Sequence, residues 1–308
     1  MRSVLAIALM PLAACGSHGN SGDAATIARG DSIPPPVDGP GYRTSLGVCW
    51  TDATCARVFA IAHGGAWDVE TTPYDSNAAI AAAYADGDDG VKIDVRVTLD
   101  NVPVIAHSSP IQVYESTDCA NQLIEQMTAA QVTSCHRFPS TTETFQRLDD
   151  VLGYLRGRMV VELCVKVVGD FGRTITELHT LGAEDFAFLE INAGDVPTVV
   201  PTLPGSDSVY YLVDVATDLS PIDGLLAMHD PHEFMYEIDP SVAIGTLITD
   251  TLHPAGVRAF TYDDTATPTV SELEAYYAAG YDAVSSQSGP NGVQARVMEN
   301  TMLGVTPP

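Results

Sequence analysis

The chain has 308 residues, of which 40 are acidic and 14 are basic, so its formal net charge is −26 at pH 7. The negative electrostatic field of such a chain repels nucleic acid, and nucleic-acid binding is therefore excluded. An anionic small molecule would also be repelled at long range and would need a locally positive pocket.

The first 41 residues are predicted to lie outside the folded domain. Residues 1–14 combine a charged start with an apolar run that is too short to span a bilayer, as a secretory signal does. The segment Leu12-Ala13-Ala14-Cys15-Gly16 resembles the bacterial lipoprotein signal, which implies cleavage before Cys15 and lipidation of that cysteine. The alternative is an ordinary signal peptide with an incidental cysteine. Residues 15–41 are rich in Gly, Ser, Asp and Pro, which predicts a flexible tether.

The residues near the lipidated cysteine bear on the destination of the exported chain. Ser17 stands near the new terminus, where an aspartate would signal retention in the inner membrane. We therefore expect a protein that is lipid-anchored to the bacterial cell envelope, at the outer membrane.

Residues 42–308 have the composition of one folded domain, in which strand-like and helix-like segments alternate. Short, β-branched apolar runs are bounded by turns, and helix formers lie between them, as in the Ala-rich segment Ser76 to Ala85. Alternation of this kind predicts an α/β fold with a parallel sheet, and eight units close a TIM (β/α)8 barrel. The eight predicted strands start at Phe59, Val91, Met159, Phe186, Val209, Phe234, Val257 and Tyr281.

Five cysteines remain if Cys15 is lipidated, and an oxidising compartment favours disulfides. Cys49 and Cys55 flank a short polar loop, whereas Cys119 and Cys135 flank a predicted helix. Two local disulfides are the simplest pairing, although other connectivities stay open at this point.

In a barrel of this kind, the chemistry gathers at the carboxyl ends of the strands. His63 ends the first predicted strand, and His107 follows the extension of the second strand from Val102 to Ala106. We expect further polar or ionisable side chains to converge with them at this end. These are Asp94, Glu162, Cys164, Lys166, Glu190, Asp214 and the run Tyr262-Asp263-Asp264.

Several segments resemble motifs of the glycerophosphodiester phosphodiesterase family, a TIM barrel of the phospholipase-C-like type. Its His-Arg-Gly is matched by His63-Gly64-Gly65, and its Thr-x-Asp-Gly-x-Pro-Val-x-x-His-Asp is matched without a gap by Thr98 through Ser108. The resemblance implies that His63 and His107 act as general acid and base on a phosphodiester, next to a divalent cation. Further matches are Pro73–Ser76 to its Pro-Glu-Asn-Thr, Gly87–Val95 to its Gly-Ala-Asp-x-x-Glu-x-Asp-Val, and Leu252–Thr261 and Gly280–Val284 to its seventh and eighth strands.

The chain departs from the family at positions that contact phosphate or metal. Gly64 replaces the arginine of His-Arg-Gly, and Ser108 replaces the aspartate after the second histidine. Lys92 replaces a metal-binding glutamate, although its partner Asp94 remains. Cys164 stands in place of the glutamate of a Glu-x-Lys motif that ends at Lys166.

Lys92 argues against calcium or magnesium at the family's position. Two unit charges ~4 Å apart at an effective dielectric of about 20 interact by about 4 kcal/mol, so a divalent ion would be repelled by about 8 kcal/mol. The metal site is thus predicted to be lost or displaced, with Asp94 and Glu162 as remaining candidate ligands and Glu190 as a third. Either the Lys92 ammonium replaces the cation, with Lys166 adding positive charge, or Lys92 and Asp94 form a structural ion pair in an inactive site.

The function predicted from the sequence is phosphodiester hydrolysis on glycerophosphodiesters or phospholipid head groups. One alternative is an inactive barrel that serves as a binding or structural lipoprotein. Another is a metal-independent lyase, like a phospholipase C, that forms a cyclic phosphate. The expected partners are a small-molecule phosphodiester or lipid head group and the membrane through Cys15, and the protein is expected to be a monomer.

Overall fold

The structure is a computed structural model that describes residues 43–68, 70–228, 230–242 and 244–305. The predicted signal peptide, the tether and the lipidation site Cys15 lie outside the described residues, so these stay predictions. Within the described ranges, no helix is both long and apolar enough to cross a membrane.

The described chain forms a closed barrel of eight parallel strands. The first strand pairs with both the second and the last, which closes the sheet. A ninth, short strand continues the second as an antiparallel hairpin, as the Val102 to Ala106 extension predicted. The strands are β1 Phe59–His63, β2 Gly90–Val97, β3 Pro103–Ile105 (the hairpin strand), β4 Val160–Val165, β5 Ala187–Asn192, β6 Tyr210–Ala216, β7 Met235–Ile238, β8 Arg258–Asp263 and β9 Ala283–Ser286.

Helices and short helical turns connect these strands, so the architecture is the predicted TIM (β/α)8 barrel. A π-helix, Ile248–Leu252, followed by a 3₁₀ turn fills the connection from β7 to β8. The α-helices are α1 Asn77–Asp86, α2 Ala129–Val132, α3 Leu148–Leu155, α4 Phe171–Leu181, α5 Ile222–Ala227, α6 Val270–Ala278 and α7 Gly289–Met302.

Helix α1 has the ends that its sequence predicts. The side chain of Ser76 accepts a hydrogen bond from the backbone N–H of Ala79 at 3.1 Å, which caps the first turn. Gly87 ends the helix in the left-handed region with φ of 101°, a conformation that glycine adopts without strain. The capped start fixes the chain just before the helix, where Tyr74 and Asp75 lie.

Helix α3 begins three residues later than the predicted Phe145. The backbone N–H of Phe145 donates to the carbonyl of Cys135, and Arg147 forms a β-bridge with Val104. Tertiary pairing therefore keeps residues 145–147 extended, and the helix begins at Leu148.

The floor of the barrel is an apolar cluster closed by the segment that precedes β1. Trp50 stacks on Phe59, with ring centroids 4.0 Å apart, and is fully buried together with Leu46. Each such large apolar side chain stabilises the fold by about 1.5–3 kcal/mol. The floor seals the end of the barrel opposite the two histidines.

Residues 108–141 form a long connection with its own small core, closed by a disulfide between Cys119 and Cys135. The second predicted disulfide, Cys49–Cys55, is also formed, so both pairings are confirmed. Arg137 is almost fully buried and donates to the carbonyl oxygens of Tyr74 and Ile105 at 3.1 and 2.6 Å. The connection is therefore tied to the wall of the barrel mouth.

Candidate active site

Along several strands, the side chains that face the barrel interior change from apolar to charged within two residues. Phe188 and Met235 belong to the apolar floor. Side chains alternate between the two faces of a strand, so Glu190 and Glu237, two positions further on, also point into the barrel. The same alternation brings Lys92 to the interior, where it is paired in register with Glu162. Charged side chains are thus stacked on an apolar base.

Asp94 holds both lysines of the site through one oxygen atom. The Nζ atoms of Lys92 and Lys166 lie 2.6 and 2.8 Å from Oδ1 of Asp94. The other oxygen of Asp94 accepts a hydrogen bond from the Tyr74 hydroxyl at 3.0 Å, and the Asp94 side chain is fully buried. We call Lys92, Asp94 and Lys166 the lysine–aspartate cluster.

These two lysines are the only lysines in the 308-residue sequence, since the other twelve basic residues are arginines. An exposed lysine costs little on a protein surface, yet the chain has none outside this cluster. A compact ammonium group binds as a point charge, which a planar guanidinium cannot reproduce. That the chain has only these two lysines was visible in the sequence and would have strengthened the prediction of a site.

The electrostatics of the cluster favour the charged forms of Asp94 and Lys92. Burial opposes the charge of Asp94, but the ammonium groups of Lys166 and Lys92 outweigh it and hold the pKa of Asp94 well below its ordinary value. Burial also opposes the charge of Lys92, yet the carboxylates of Asp94 and Glu190 raise its pKa above the ordinary value. Burial lowers the pKa of Lys166, and Asp94 offsets this only in part.

The family's cation position does not fit a divalent ion in this chain. Two ammonium nitrogens lie within ion-pair distance of Asp94 Oδ1, the atom that would have to bind the ion. Cys164, which replaces a carboxylate, is paired in register with Asp94 and is buried. A sulfur atom is a poor ligand for a hard cation such as calcium or magnesium.

The two predicted catalytic histidines both pack against the Tyr74 ring. The ring centroid of Tyr74 lies 5.7 Å from that of His63 and 6.1 Å from that of His107, and both contacts are edge-on. Trp67 also packs edge-on against Tyr74 and donates its indole N–H to the carbonyl of His63 at 2.9 Å. Both histidines are half-buried, so the structure brings them together at one mouth.

Sequence reasoning missed Tyr74, although its position follows from Gly64. Gly64 has φ of +71°, and a Cβ atom there would overlap the Tyr74 ring. The tyrosine therefore occupies space that the side chain of the family's arginine would need. Burial and the charge of Asp94 raise the pKa of the Tyr74 hydroxyl well above its ordinary value, so it remains a hydrogen-bond donor.

His107 is oriented by a short chain of hydroxyl groups. Its Nδ1 lies 2.9 Å from Oγ of Ser108, which in turn lies 3.1 Å from the Tyr114 hydroxyl. Glu115 accepts hydrogen bonds from the backbone N–H groups of His107 and Ser108, both at 3.1 Å. With Nδ1 engaged, Nε2 of His107 is the nitrogen left to act on a ligand.

Both imidazoles favour their neutral form. Burial, followed by the positive charge of Lys92, lowers the pKa of His63 well below its ordinary value. Burial lowers the pKa of His107 to about 4, a shift that Asp94 opposes and Lys166 increases. Each histidine can therefore accept a proton at neutral pH, and a nearby anion would favour its protonation.

Three glutamates form a second charged group one step deeper than Asp94. One carboxylate oxygen each of Glu162, Glu190 and Glu237 lies within 4.8 Å of the other two. Burial, followed by the neighbouring Glu190, raises the pKa of Glu162 and of Glu237 well above the ordinary value. Burial also raises the pKa of Glu190 to about 7. We call these three residues the glutamate cluster; sequence reasoning named two of its members and missed Glu237.

The remaining predicted positions divide between the interior and the outer face. The Tyr262 hydroxyl donates to Asp239 at 2.9 Å. Asp263 instead accepts from the Tyr276 hydroxyl of α6 at 2.9 Å, so it belongs to the strand–helix interface. Asp214 is paired in register with Glu237, and burial raises its pKa to about 6.

The closed barrel, with ionisable groups at the carboxyl ends of its strands, defines the TIM-barrel class. Within that class, residues 71–169 match the model of the Glycerophosphoryl diester phosphodiesterase family. The matched segment contains Lys92, Asp94, His107 and Lys166, whereas His63 precedes it. The resemblance predicted from the motifs is confirmed, and the match supports a phosphoric diester hydrolase. No curated protein matches the sequence at a significant level.

Solved structures of this kind have the same fold. A glycerophosphoryl diester phosphodiesterase from Parabacteroides distasonis is 16% identical and aligns over 85% of this chain and 93% of its own, with a TM-score of 0.65. A glycerophosphodiester phosphodiesterase from Agrobacterium tumefaciens is 16% identical over 77% and 99%, with a TM-score of 0.61. A phosphodiesterase from Oleispira antarctica, solved in complex with the product sn-glycerol-3-phosphate, is 18% identical over 80% and 99%, with a TM-score of 0.60. At such identities the likeness shows the fold.

Proposed function

We propose that this protein hydrolyses small phosphodiesters, of the glycerophosphodiester or phospholipid head-group class, with His63 and His107 as the acid–base pair. The observation that carries the proposal is the position of both histidines around Tyr74, above a buried lysine–aspartate cluster. The product named for the Oleispira antarctica relative, sn-glycerol-3-phosphate, supports a ligand of this class.

The lysine–aspartate cluster supplies the positive charge that the acidic chain otherwise lacks. Two ammonium groups and one carboxylate leave a net charge of +1, which matches the single negative charge of a phosphodiester. Lys92, Lys166 and the Tyr74 hydroxyl are hydrogen-bond donors that already converge on Asp94. We propose that these donors stabilise the phosphoryl oxygens, in the role that a divalent cation has in the family.

The proton steps follow from the neutral state of the two imidazoles. A water oxygen attacks phosphorus, one histidine accepts its proton, and the P–O bond to the leaving alkoxide breaks. The other histidine gives a proton to that alkoxide, so it must first gain one from solvent. The bound anion offsets the field of Lys92 and Lys166, and this raises the pKa of the histidine that must carry the proton.

The test is an assay of purified protein on glycerophosphocholine and bis(p-nitrophenyl) phosphate, with EDTA and with added calcium or magnesium. We expect turnover that EDTA does not abolish and that His63→Ala or His107→Ala lowers by about 10²–10⁴-fold. The matched control is His179→Ala, because His179 lies on α4, away from the mouth, and pairs there with Glu184. A loss of turnover in EDTA would contradict the role given to the lysines.

Product analysis separates hydrolysis from the lyase alternative. A cyclic phosphate product that accumulates would indicate attack by a substrate hydroxyl, a reaction that ammonium groups at the cation position would allow. Absence of turnover with every substrate would instead support the inactive binding barrel.

We also propose that the protein is anchored to the bacterial cell envelope through Cys15, at the outer membrane, and acts as a monomer. The support is the sequence Leu12-Ala13-Ala14-Cys15-Gly16. Incorporation of labelled palmitate into the wild type but not into Cys15→Ala tests the anchor. Equal labelling of both proteins would contradict it.

A further inference from the structure

The glutamate cluster sits in the interior of the barrel, where water cannot separate its charges. The side chains of Glu162, Glu190 and Glu237 are exposed by only 2, 5 and 9%. One oxygen atom of each lies within 4.8 Å of the other two. Carboxylates this close in a poorly solvated site cannot all remain ionised unless a positive charge lies between them.

Two buried oxygen atoms of the barrel interior lack a hydrogen-bond partner among the described residues. Oγ of Ser285 has no hydrogen bond, although the residue is only 2% exposed. Ser285 follows Ala283 of the apolar floor by two positions, so its side chain points into the barrel, as those of Glu190 and Glu237 do. Oε2 of Glu162 is likewise buried without a hydrogen bond. Buried polar atoms normally have partners, so these two point to a ligand that binds oxygen atoms.

The charge balance of the interior favours a cation as this ligand. The ammonium groups of Lys92 and Lys166 face the carboxylates of Asp94 and of the glutamate cluster. When all are ionised, four negative charges exceed two positive ones by two. Both ammonium groups lie within 2.8 Å of Asp94. Among the described residues, no basic side chain forms an ion pair with the glutamate cluster.

We infer that the glutamate cluster, with the Ser285 hydroxyl, binds one divalent cation with a preference for oxygen ligands, such as Ca²⁺, Mg²⁺ or Mn²⁺. This site is distinct from the family's cation position at Asp94, which the lysines occupy. The ion links strands β4, β5, β7 and β9 from inside the barrel. Glu237 is the most exposed of the three glutamates.

The experiment measures metal binding and thermal unfolding, independently of catalysis. Purified protein is stripped with EDTA, dialysed, and titrated separately with CaCl₂, MgCl₂ and MnCl₂. Bound metal is then counted by mass spectrometry after gel filtration. We expect about one ion per chain for at least one metal, and a rise in Tm of about 5–10 °C at a hundredfold excess over Kd.

Matched variants locate the ion. Glu237→Gln should lose both the bound ion and the rise in Tm, whereas Glu233→Gln should keep both. Glu233 is also buried and precedes the same strand, but it lies near the opposite end of the barrel, beside Asp230. Ser285→Ala retains every carboxylate and should weaken binding several-fold.

The Tm in EDTA shows whether the variants fold. Removing one of three facing carboxylates should leave Glu237→Gln at least as stable as the stripped wild type, because repulsion is reduced. Two outcomes overturn the inference. One is a wild type that binds none of the three metals, so that the glutamates hold protons instead. The other is stoichiometric binding retained in Glu237→Gln, which would place the ion elsewhere.

Discussion

The lysine–aspartate cluster and the glutamate cluster are neighbours in one barrel, yet their charges are balanced in different ways. In the first, two ammonium groups form ion pairs with one carboxylate, and the pKa of Asp94 is well below its ordinary value. In the second, three carboxylates face one another, and their pKa values are all raised. A lysine at a ligand position thus removes the need for a cation there, while the excess negative charge lies one step deeper.

The largest expected effect follows from breaking the balance of the first cluster. Asp94→Ala leaves two buried ammonium groups beside each other, which should lower the free energy of unfolding by about 3–5 kcal/mol. Asp149→Ala, which removes the surface partner of Arg147, should cost no more than about 1 kcal/mol. Urea unfolding at pH 7 measures both. Equal costs for the two variants would mean that Asp94 does not hold the cluster together.

The second prediction concerns turnover and tests the role of Lys92, which replaces a metal ligand of the family. Lys92→Met retains much of the side-chain volume but removes the charge, so kcat should fall by about 10²–10³-fold. Lys92→Arg should recover little, since a fork of donors does not replace a point charge at Asp94. If calcium restores kcat in Lys92→Met, the ammonium stands in for a cation. If Lys92→Met keeps full activity, the pair with Asp94 is structural only.

A third prediction uses the neutral histidines above the lysine–aspartate cluster. The folded-state pKa of His107 is about 4, below its ordinary value of 6.5, so the native protein binds fewer protons than the unfolded chain between these pH values. This contribution to stability is present above pH 6.5 and is lost as the pH falls towards 4. The free energy of unfolding should therefore decrease more from pH 7 to pH 5 in the wild type than in His107→Gln. The carboxylates of both clusters titrate in both proteins, so the difference isolates His107. Equal slopes would show that His107 is not held neutral.

The smallest expected effect separates the two lysines themselves. Because the chain has only two lysines, selective labelling with ¹³C- and ¹⁵N-lysine gives two side-chain signals in NMR spectra. Lys166 should titrate at a lower pH than Lys92, since its pKa is lowered and that of Lys92 is raised. The signal that is lost in Lys92→Met belongs to Lys92, and the remaining signal belongs to Lys166. A lower pKa for Lys92 than for Lys166 would reverse the assignment of charge in the cluster.

The fold was predictable from the sequence because local patterns and barrel topology agree. Each buried strand is a short apolar run, and Ser76 and Gly87 mark the ends of α1 as capping rules require. The start of α3 was not predictable from its own residues. Phe145 and Arg147 pair with segments that are distant from the helix, and such pairing overrides helix propensity.

The candidate site was predictable where a motif or a strand end marks a residue. His63, His107 and Asp94 were found in this way, and the structure places them near one another. Glu237 was missed because its strand was read as an apolar run, although it is the one charged residue between Phe234 and Ile238. Its alternation with Met235 would have placed it inside the barrel.

Tyr74 could not be found by a rule about strand ends, because it lies in the loop before α1. Its position depends on the absence of a side chain at Gly64, which is 10 residues earlier in the sequence. The Tyr74 ring fills the space beside Gly64, and this relation between two loop residues exists only in the folded structure. The sequence shows only that an arginine of the family is absent.

The way in which the barrel floor is closed affects how the chain folds. Trp50 is made before any strand, yet it packs beside Phe188, and β1 completes its pairing only with β9 near the carboxyl end. Contacts between residues so far apart in sequence slow folding, because the entropy of closing long loops is lost before the contacts form. The barrel therefore cannot close during synthesis until almost the whole chain has emerged, and a chain that stops before β9 lacks the strand that joins its two ends.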